Sequence, residues 1–281
     1  MYKCSKCKAL KSEDNFYFNR GKVNRCCKEC FRQDHRDKYY LELVKQRNNI
    51  LLDPGLTAYF ESLYSEFSGH FNNSKLIIEV GAGAGVSEIF LNHKVLRTDI
   101  FSFPKYGVLG DCPMEKLPYK DESFDLVFAM DAIHHSIWPL DAIKEVLRVT
   151  RNGGTVLLVE PYVSYLSYIP YKLFHHEDTS WRYKNKEKVS LGSDLVDPSS
   201  GDQGISKYLI MQLSQASENK PLFESMSIKF VSPFSFFATG GVSRSLKTPK
   251  PIICFLIRLE CKIPQIIMRF LASRVVISIK K

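Results

Sequence analysis

Residues 76–90 read Leu76-Ile77-Ile78-Glu79-Val80-Gly81-Ala82-Gly83-Ala84-Gly85-Val86-Ser87-Glu88-Ile89-Phe90. The opening run is apolar and β-branched with little polar alternation, as expected for a strand buried on both faces of a parallel sheet. Glycine then takes every second position, and residues 86–91 can begin a helix. Strand, glycine turn and helix in that order form the nucleotide-binding entry of a doubly wound, Rossmann-like α/β sheet. Glycine lets the backbone bend sharply and approach a ligand, and a helix N-terminus offers unpaired N–H groups. A dinucleotide fingerprint sets its third glycine three residues after the second. Val86 stands there instead, and Gly85 comes one residue early. Glu79 lies two residues before Gly81.

The spacing downstream narrows the ligand. Residues 93–98 are expected as a second strand, followed by Asp99, eighteen residues after Gly81. A carboxylate at that strand end can accept both ribose hydroxyls of a nucleoside. Next come Gly110-Asp111-Cys112, Leu117-Pro118-Tyr119, and Ser123-Phe124-Asp125 opening an apolar strand. Leu147-Arg148-Val149 and Gly153-Gly154 then lead into a strand over residues 155–159. Over residues 75–161 this succession resembles the motif series of class I S-adenosylmethionine-dependent methyltransferases, of the methyltransferase type 11-like kind. The resemblance implies a seven-stranded, mostly parallel sheet with an antiparallel last strand and S-adenosylmethionine as cofactor. It also implies cofactor contacts from Glu79, Gly81, Gly83, Gly85, Asp99, Asp111, Cys112 and Met130. After the fourth strand, Met130-Asp131-Ala132-Ile133-His134-His135 falls where open α/β sheets bind ligands. His135 is the candidate general base, because an imidazole titrating near neutrality can take a proton from a hydroxyl. Lining the site is its alternative role.

The N-terminus carries different chemistry. Five of the eight cysteines lie in the first 30 residues. Cys4 and Cys7 form one Cys-x-x-Cys, Cys27 and Cys30 another, with nineteen residues between the pairs, which is the spacing of a four-thiolate zinc site. Cys26 can stand in for Cys27, but Cys27 keeps two symmetric knuckles. A segment this short builds only a miniature core, here from Phe16, Tyr17 and Phe18, so structural zinc would supply folding energy. The ribbon resembles those ahead of HNH-type endonuclease domains, although no endonuclease motif follows it. A basic helix is expected over residues 31–47, with a linker at Asn48-Asn49 and Asp53-Pro54-Gly55. The expected organisation is a zinc ribbon and basic helix over residues 1–50 and a methyltransferase domain over 51–281, with 162–221 inserted as a substrate cover.

Composition, at 44% hydrophobic and 25% charged residues, is that of an ordinary globular chain. No apolar leader is read at Met1-Tyr2-Lys3-Cys4, and no run reaches about 18 uncharged apolar residues. A cytoplasmic protein is expected. The net charge of +9 is uneven. Residues 1–50 hold 13 Lys and Arg against 6 Asp and Glu, residues 51–160 hold 9 against 15, and residues 161–281 hold 17 against 9. Basic flanks around an acidic centre suit nucleic acid through the ribbon, or peripheral contact with an anionic membrane through residues 251–270. Helices are expected over 56–67 and 202–215 and as two pieces around Lys262-Ile263-Pro264, with strands over 227–231 and 274–279. His175-His176-Glu177-Asp178 clusters groups suited to substrate hydrogen bonding.

The favoured activity is methylation of a hydroxyl on a small molecule, sugar or lipid-linked glycan. The rivals are an RNA methyltransferase that uses its ribbon for binding, and a non-catalytic scaffold that binds the cofactor.

Overall fold

The computed structural model describes residues 1–19, 22–136, 138–174, 178–181, 201–219 and 223–281. His175, His176 and Glu177 of the acid–histidine cluster lie outside those residues, as do positions 182–200 of the expected insertion.

Two small hairpins open the chain. Strands β1 (Tyr2–Lys3) and β2 (Leu10–Lys11) pair, and β3 (Phe16–Asn19) pairs with β4 (Lys22–Cys27). Their miniature core consists of Phe16 with Cys4, Cys26 and Cys27, and Val23 and Phe31 pack against it. Helix α1 (Lys28–Leu52) follows without a break and runs through Asn48-Asn49, where a linker was expected. Asn49 is packed rather than breaking the helix: its side-chain amide donates to the Val242 carbonyl at 2.8 Å, and Ile50 beside it is buried. The chain turns at Asp53. That carboxylate caps α2 (Pro54–Ser65) by accepting from the Gly55 and Leu56 N–H groups at 2.8 and 3.2 Å. Its second oxygen accepts from the Ser245 hydroxyl and the Lys247 N–H.

The main sheet has seven strands. Short α3 (Ser68–Asn72) precedes β5 (Ile77–Val80), and the single-turn α4 (Ser87–Phe90) follows it. Next come β6 (Val95–Thr98), β7 (Val108–Leu109), β8 (Phe124–Met130), α5 (Pro139–Val149) and β9 (Thr150–Pro161). After α6 (Tyr168–Phe174) and α7 (Ile205–Asn219) the chain forms β10 (Ser225–Val231), α8 (Ser235–Thr239) and α9 (Gly241–Arg244). It ends in α10 (Lys250–Glu260), α11 (Gln265–Leu271) and β11 (Arg274–Lys280). Strand order is β10-β11-β9-β8-β5-β6-β7. β5, β6, β7, β8 and β9 are parallel, whereas β11 runs antiparallel between β9 and β10. This is the expected doubly wound class I methyltransferase, Rossmann-like sheet with its reversed last strand.

Both faces of the sheet are covered, which explains the unbroken apolar runs. Ile78, Val127 and Leu158 face the layer of α5 and α7, while Ile77, Leu126 and Leu157 face α2 and α10. The free edge of β10 is bracketed at Phe230. Gln265 accepts from its N–H at 2.8 Å and donates to its carbonyl at 3.1 Å. Among the described residues, no helix is long and apolar enough to cross a membrane.

Replacing Asp53 would strand four donors, two of them in the first turn of α2. Asp53→Ala is expected to lower the unfolding free energy by roughly 2–4 kcal/mol, read from denaturant midpoints. An unchanged midpoint would show that the junction does not depend on this carboxylate.

Candidate active site

The glycine turn after β5 is left-handed at each glycine, with φ of +70° at Gly81, +52° at Gly83 and +68° at Gly85. Gly81 is also a close approach: a Cβ there would come within 2.5 Å of the Ala132 Cβ, in the turn after β8. A side chain at that position would drive the two turns apart. The turn is tied to the next strand by Asp99. Oδ2 accepts from the Gly83 N–H at 2.8 Å, and Oδ1 from the Phe101 N–H at 3.0 Å. Each carboxylate oxygen retains a lone pair for a further donor. Burial raises the Asp99 pKa above the ordinary carboxylate value, against the backbone donors that lower it.

Glu79 lies beneath the turn. It accepts from the Ser87 hydroxyl, and Arg97 Nε reaches Ser87 Oγ at 2.8 Å and Glu79 Oε2 at 3.6 Å. Burial pushes the Glu79 pKa up to about 7, although Ser87 and Arg97 both pull it down.

A cavity of about 760 Å³ opens above these groups at the carboxyl ends of β5 and β8. Of the site residues expected from sequence, Glu79, Gly81, Gly83, Asp99, Cys112, Met130 and His135 line it. Two expected residues do not. Gly85 backs onto the Tyr106 carbonyl and Val108. Asp111 is exposed and borders a separate shallow pocket with Arg36 and Tyr40. Tyr64, Tyr171, Phe236 and Phe237 give the cavity aromatic walls.

Several groups lining the cavity or supporting it were not singled out from sequence. Helix α1 forms one wall through Tyr39, Leu43 and Gln46. It is pinned by the buried Arg47 guanidinium, which donates to the carbonyls of Ala84, at 3.0 Å, and Gly85, and pairs with Glu88 at 2.8 Å. Arg274, at the start of β11, is buried against the Phe236 ring, 4.4 Å from its centroid, and pairs with Asp131. Its Nε has no acceptor among the described residues. Asp131 itself is held at a φ of +50°. Glu160, fully buried at the end of β9, accepts from the N–H groups of Ala132 and Ile133 at 3.1 and 2.8 Å and meets His134 Nδ1 at 2.7 Å. The His134 and His135 rings lie 4.0 Å apart, so Glu160 braces the whole histidine turn. A lone acid in an apolar strand run was the available signal for Glu160. For Arg274 it was a cation opening the last strand.

The cysteine cluster lies at the other end of α1. Cys27 caps the helix and Cys30 stands in its first turn. The sulfurs of Cys4, Cys7, Cys27 and Cys30 lie within 4.8 Å of one another. Cys7 and Cys27 Sγ are 3.9 Å apart, close to the edge of a tetrahedron with metal–sulfur bonds of about 2.3 Å. Backbone N–H groups of Lys6 and Cys27 point at Cys4 Sγ from 3.4 and 3.3 Å, the arrangement of a zinc knuckle. Cys26 is buried beside the cluster rather than in it.

Strand order, glycine turn and cavity together define the class I methyltransferase fold. Residues 78–158 match the family model described as "Methyltransferase domain". Cycloartenol-C-24-methyltransferase 1 of Oryza sativa subsp. japonica is 29% identical over an alignment of 103 residues, with 34% of this chain and 27% of that protein covered. Sarcosine/dimethylglycine N-methyltransferase of Halorhodospira halochloris is 28% identical over an alignment of 115 residues, with 34% of this chain and 41% of that protein covered. The chain thus spans less than half the length of these curated relatives. A SAM-dependent methyltransferase structure from Archaeoglobus fulgidus superposes with a TM-score of 0.49 at 13% identity, covering 79% of this chain and 93% of that one.

The raised Glu79 pKa has a sign that can be checked. The native state holds a proton between about pH 4.5 and 7 that the unfolded chain has released. Stability contributed by this group is therefore complete below pH 4.5 and is lost as pH rises through 7, an effect on the order of 3 kcal/mol. Glu79→Gln should flatten this part of the stability–pH curve. A wild-type curve no steeper than that of the variant would contradict the burial argument.

Proposed function

We propose that the protein transfers a methyl group from S-adenosylmethionine to a hydroxyl acceptor. The observation that carries this reading is the convergence of the glycine turn, Asp99 and the His135 turn on one cavity with aromatic walls. The residues suit the cofactor. Gly81 and Gly83 line the cavity without a side chain, and the spare Asp99 lone pairs match the paired hydroxyls of a ribose. Glu79, Met130 and Cys112 would complete that end. S-adenosylmethionine, when bound, supplies a methyl group already activated on a sulfonium. The protein's part is then orientation, exclusion of water and removal of one proton. His135 would accept the proton of the acceptor hydroxyl, held in position by the Glu160–His134 contact. The aromatic walls of Tyr171 and Phe236 would exclude water around the reacting groups.

Two observations favour a small or lipid-linked acceptor over RNA. The cavity has aromatic walls in Tyr64, Tyr171, Phe236 and Phe237, and Arg47 of the basic helix is buried against the glycine turn and so withdrawn from phosphates. We further propose that Cys4, Cys7, Cys27 and Cys30 hold a structural zinc ion.

Calorimetry should show S-adenosylmethionine or S-adenosylhomocysteine binding to the folded protein. Asp99→Ala should weaken it by about 1–3 kcal/mol. His135→Ala should lower turnover by ~10²-fold or more with cofactor affinity nearly unchanged. A folded wild type that binds neither molecule ends the reading.

Freshly purified protein should carry about one zinc per chain. Because α1 starts directly after Cys27, bears Cys30 in its first turn and also walls the cavity, chelation should reduce cofactor affinity as well as loosen residues 1–30. Elemental analysis without zinc would dismiss the metal site. Cofactor affinity unaltered by chelation would dismiss the coupling.

A further inference from the structure

We propose that α6, α10 and α11 form a face that docks on an anionic lipid bilayer, and that the cavity takes its acceptor from that surface. The clause about the acceptor rests on the methyltransferase reading, whereas the docking face does not. Of the 24 large apolar side chains exposed among the described residues, twelve fall within residues 165–174 and 246–270. Such clustering is not the scattered exposure ordinary for soluble surfaces. On α11 only Met268 is fully buried, while Ile266, at 76% exposure, Ile267 and Phe270 point outward. Ile169, Leu173 and Phe174 do the same on α6, and Ile252, Phe255 and Leu259 on α10.

These faces adjoin. The Leu166 N–H donates to the Phe270 carbonyl at 3.2 Å, and the Tyr165 ring stacks on Phe270 with centroids 5.9 Å apart. Both α6 and α10 pack on α8, the former through the Tyr171–Phe237 ring contact at 5.3 Å. The cavity opens within this surface. Phe174 and Leu246 line it and are both more than 60% exposed, and the Arg244 guanidinium lies 5.7 Å from the Phe174 ring.

Charge decides the occupant. Residues 241–273 hold six Lys and Arg against one acid, Glu260, and of the six Lys250 pairs with Glu61 of α2. Glu260 is turned inward, where it accepts from the N–H groups of Phe234 and Ser235. Arg258 and Lys262 form no ion pair among the described residues. An apolar centre rimmed by long cationic side chains fits acyl chains beneath anionic headgroups, with the basic heads reaching the interface.

The test is co-sedimentation of the full chain with vesicles of phosphatidylcholine containing phosphatidylglycerol, against vesicles of phosphatidylcholine alone. Binding should require the anionic lipid and weaken with added salt. Each basic residue removed among Arg258, Lys262 and Arg269 should cost about fivefold in partitioning. Ile266→Glu with Ile267→Glu should lower partitioning at least tenfold while thermal unfolding and cofactor calorimetry stay at wild-type values. No sedimentation with anionic vesicles at low salt, or wild-type partitioning by these variants, overturns the docking face. With cofactor carrying a labelled methyl group and a membrane extract, label should enter the organic phase. Label confined to the aqueous phase overturns the lipid-borne acceptor. Failure of the methyltransferase reading is separately visible as absent cofactor binding, whatever the vesicles show.

Discussion

Two turns, one after β5 and one after β8, approach until a single methylene would separate them. The contact between Gly81 and Ala132 sets that distance, and the rest of the site is arranged around it. Asp99 reaches back to the Gly83 N–H, and the carbonyls of Ala84 and Gly85 accept from Arg47. Helix α1 is held over the cavity by that guanidinium, so a segment that begins in the cysteine cluster ends as a wall of the nucleotide-type site.

The site is also a concentration of buried charge. Glu79, Asp99, Glu160, Arg47 and Arg274 are all largely withdrawn from water. Each is compensated differently: Glu79 by a hydroxyl and an arginine, Asp99 and Glu160 mainly by backbone N–H groups, Arg47 by carbonyls, and Arg274 by Asp131 and an aromatic face. Backbone compensation is rigid and depends on the turns holding their shape. Loss of either turn would therefore uncover several charges together, which joins the integrity of the site to the stability of the sheet.

The sheet was legible because its strands are short apolar runs between glycine and carboxylate markers, and local chemistry dictates those markers. The thiol cluster was legible for a similar reason, since paired knuckles at fixed spacing have few other uses. What sequence did not disclose depends on long-range packing. Asn48-Asn49 resembles a linker, yet the Val242 carbonyl, nearly two hundred residues away, accepts from Asn49 and keeps the helix intact. Arg47 looked like one more basic surface residue until the turn it binds was in position. Asp111 follows a glycine in the expected order, but a φ of +56° turns it toward the outer surface. Arg274 is one cation before an apolar strand, and only the antiparallel insertion of β11 brings it opposite Asp131.

Gln265 has a consequence at the level of assembly. An open sheet that ends in a regular strand exposes a ladder to which another chain can add. β10 is such a strand, and on its outer side the Gln265 side chain occupies both main-chain groups of Phe230. One glutamine therefore acts as a stopper that ends lateral growth of the sheet where α11 begins. Any movement of α11 would withdraw it and leave a sticky edge beside an apolar surface, so the resting position of that helix also guards the chain against pairing with its own copies.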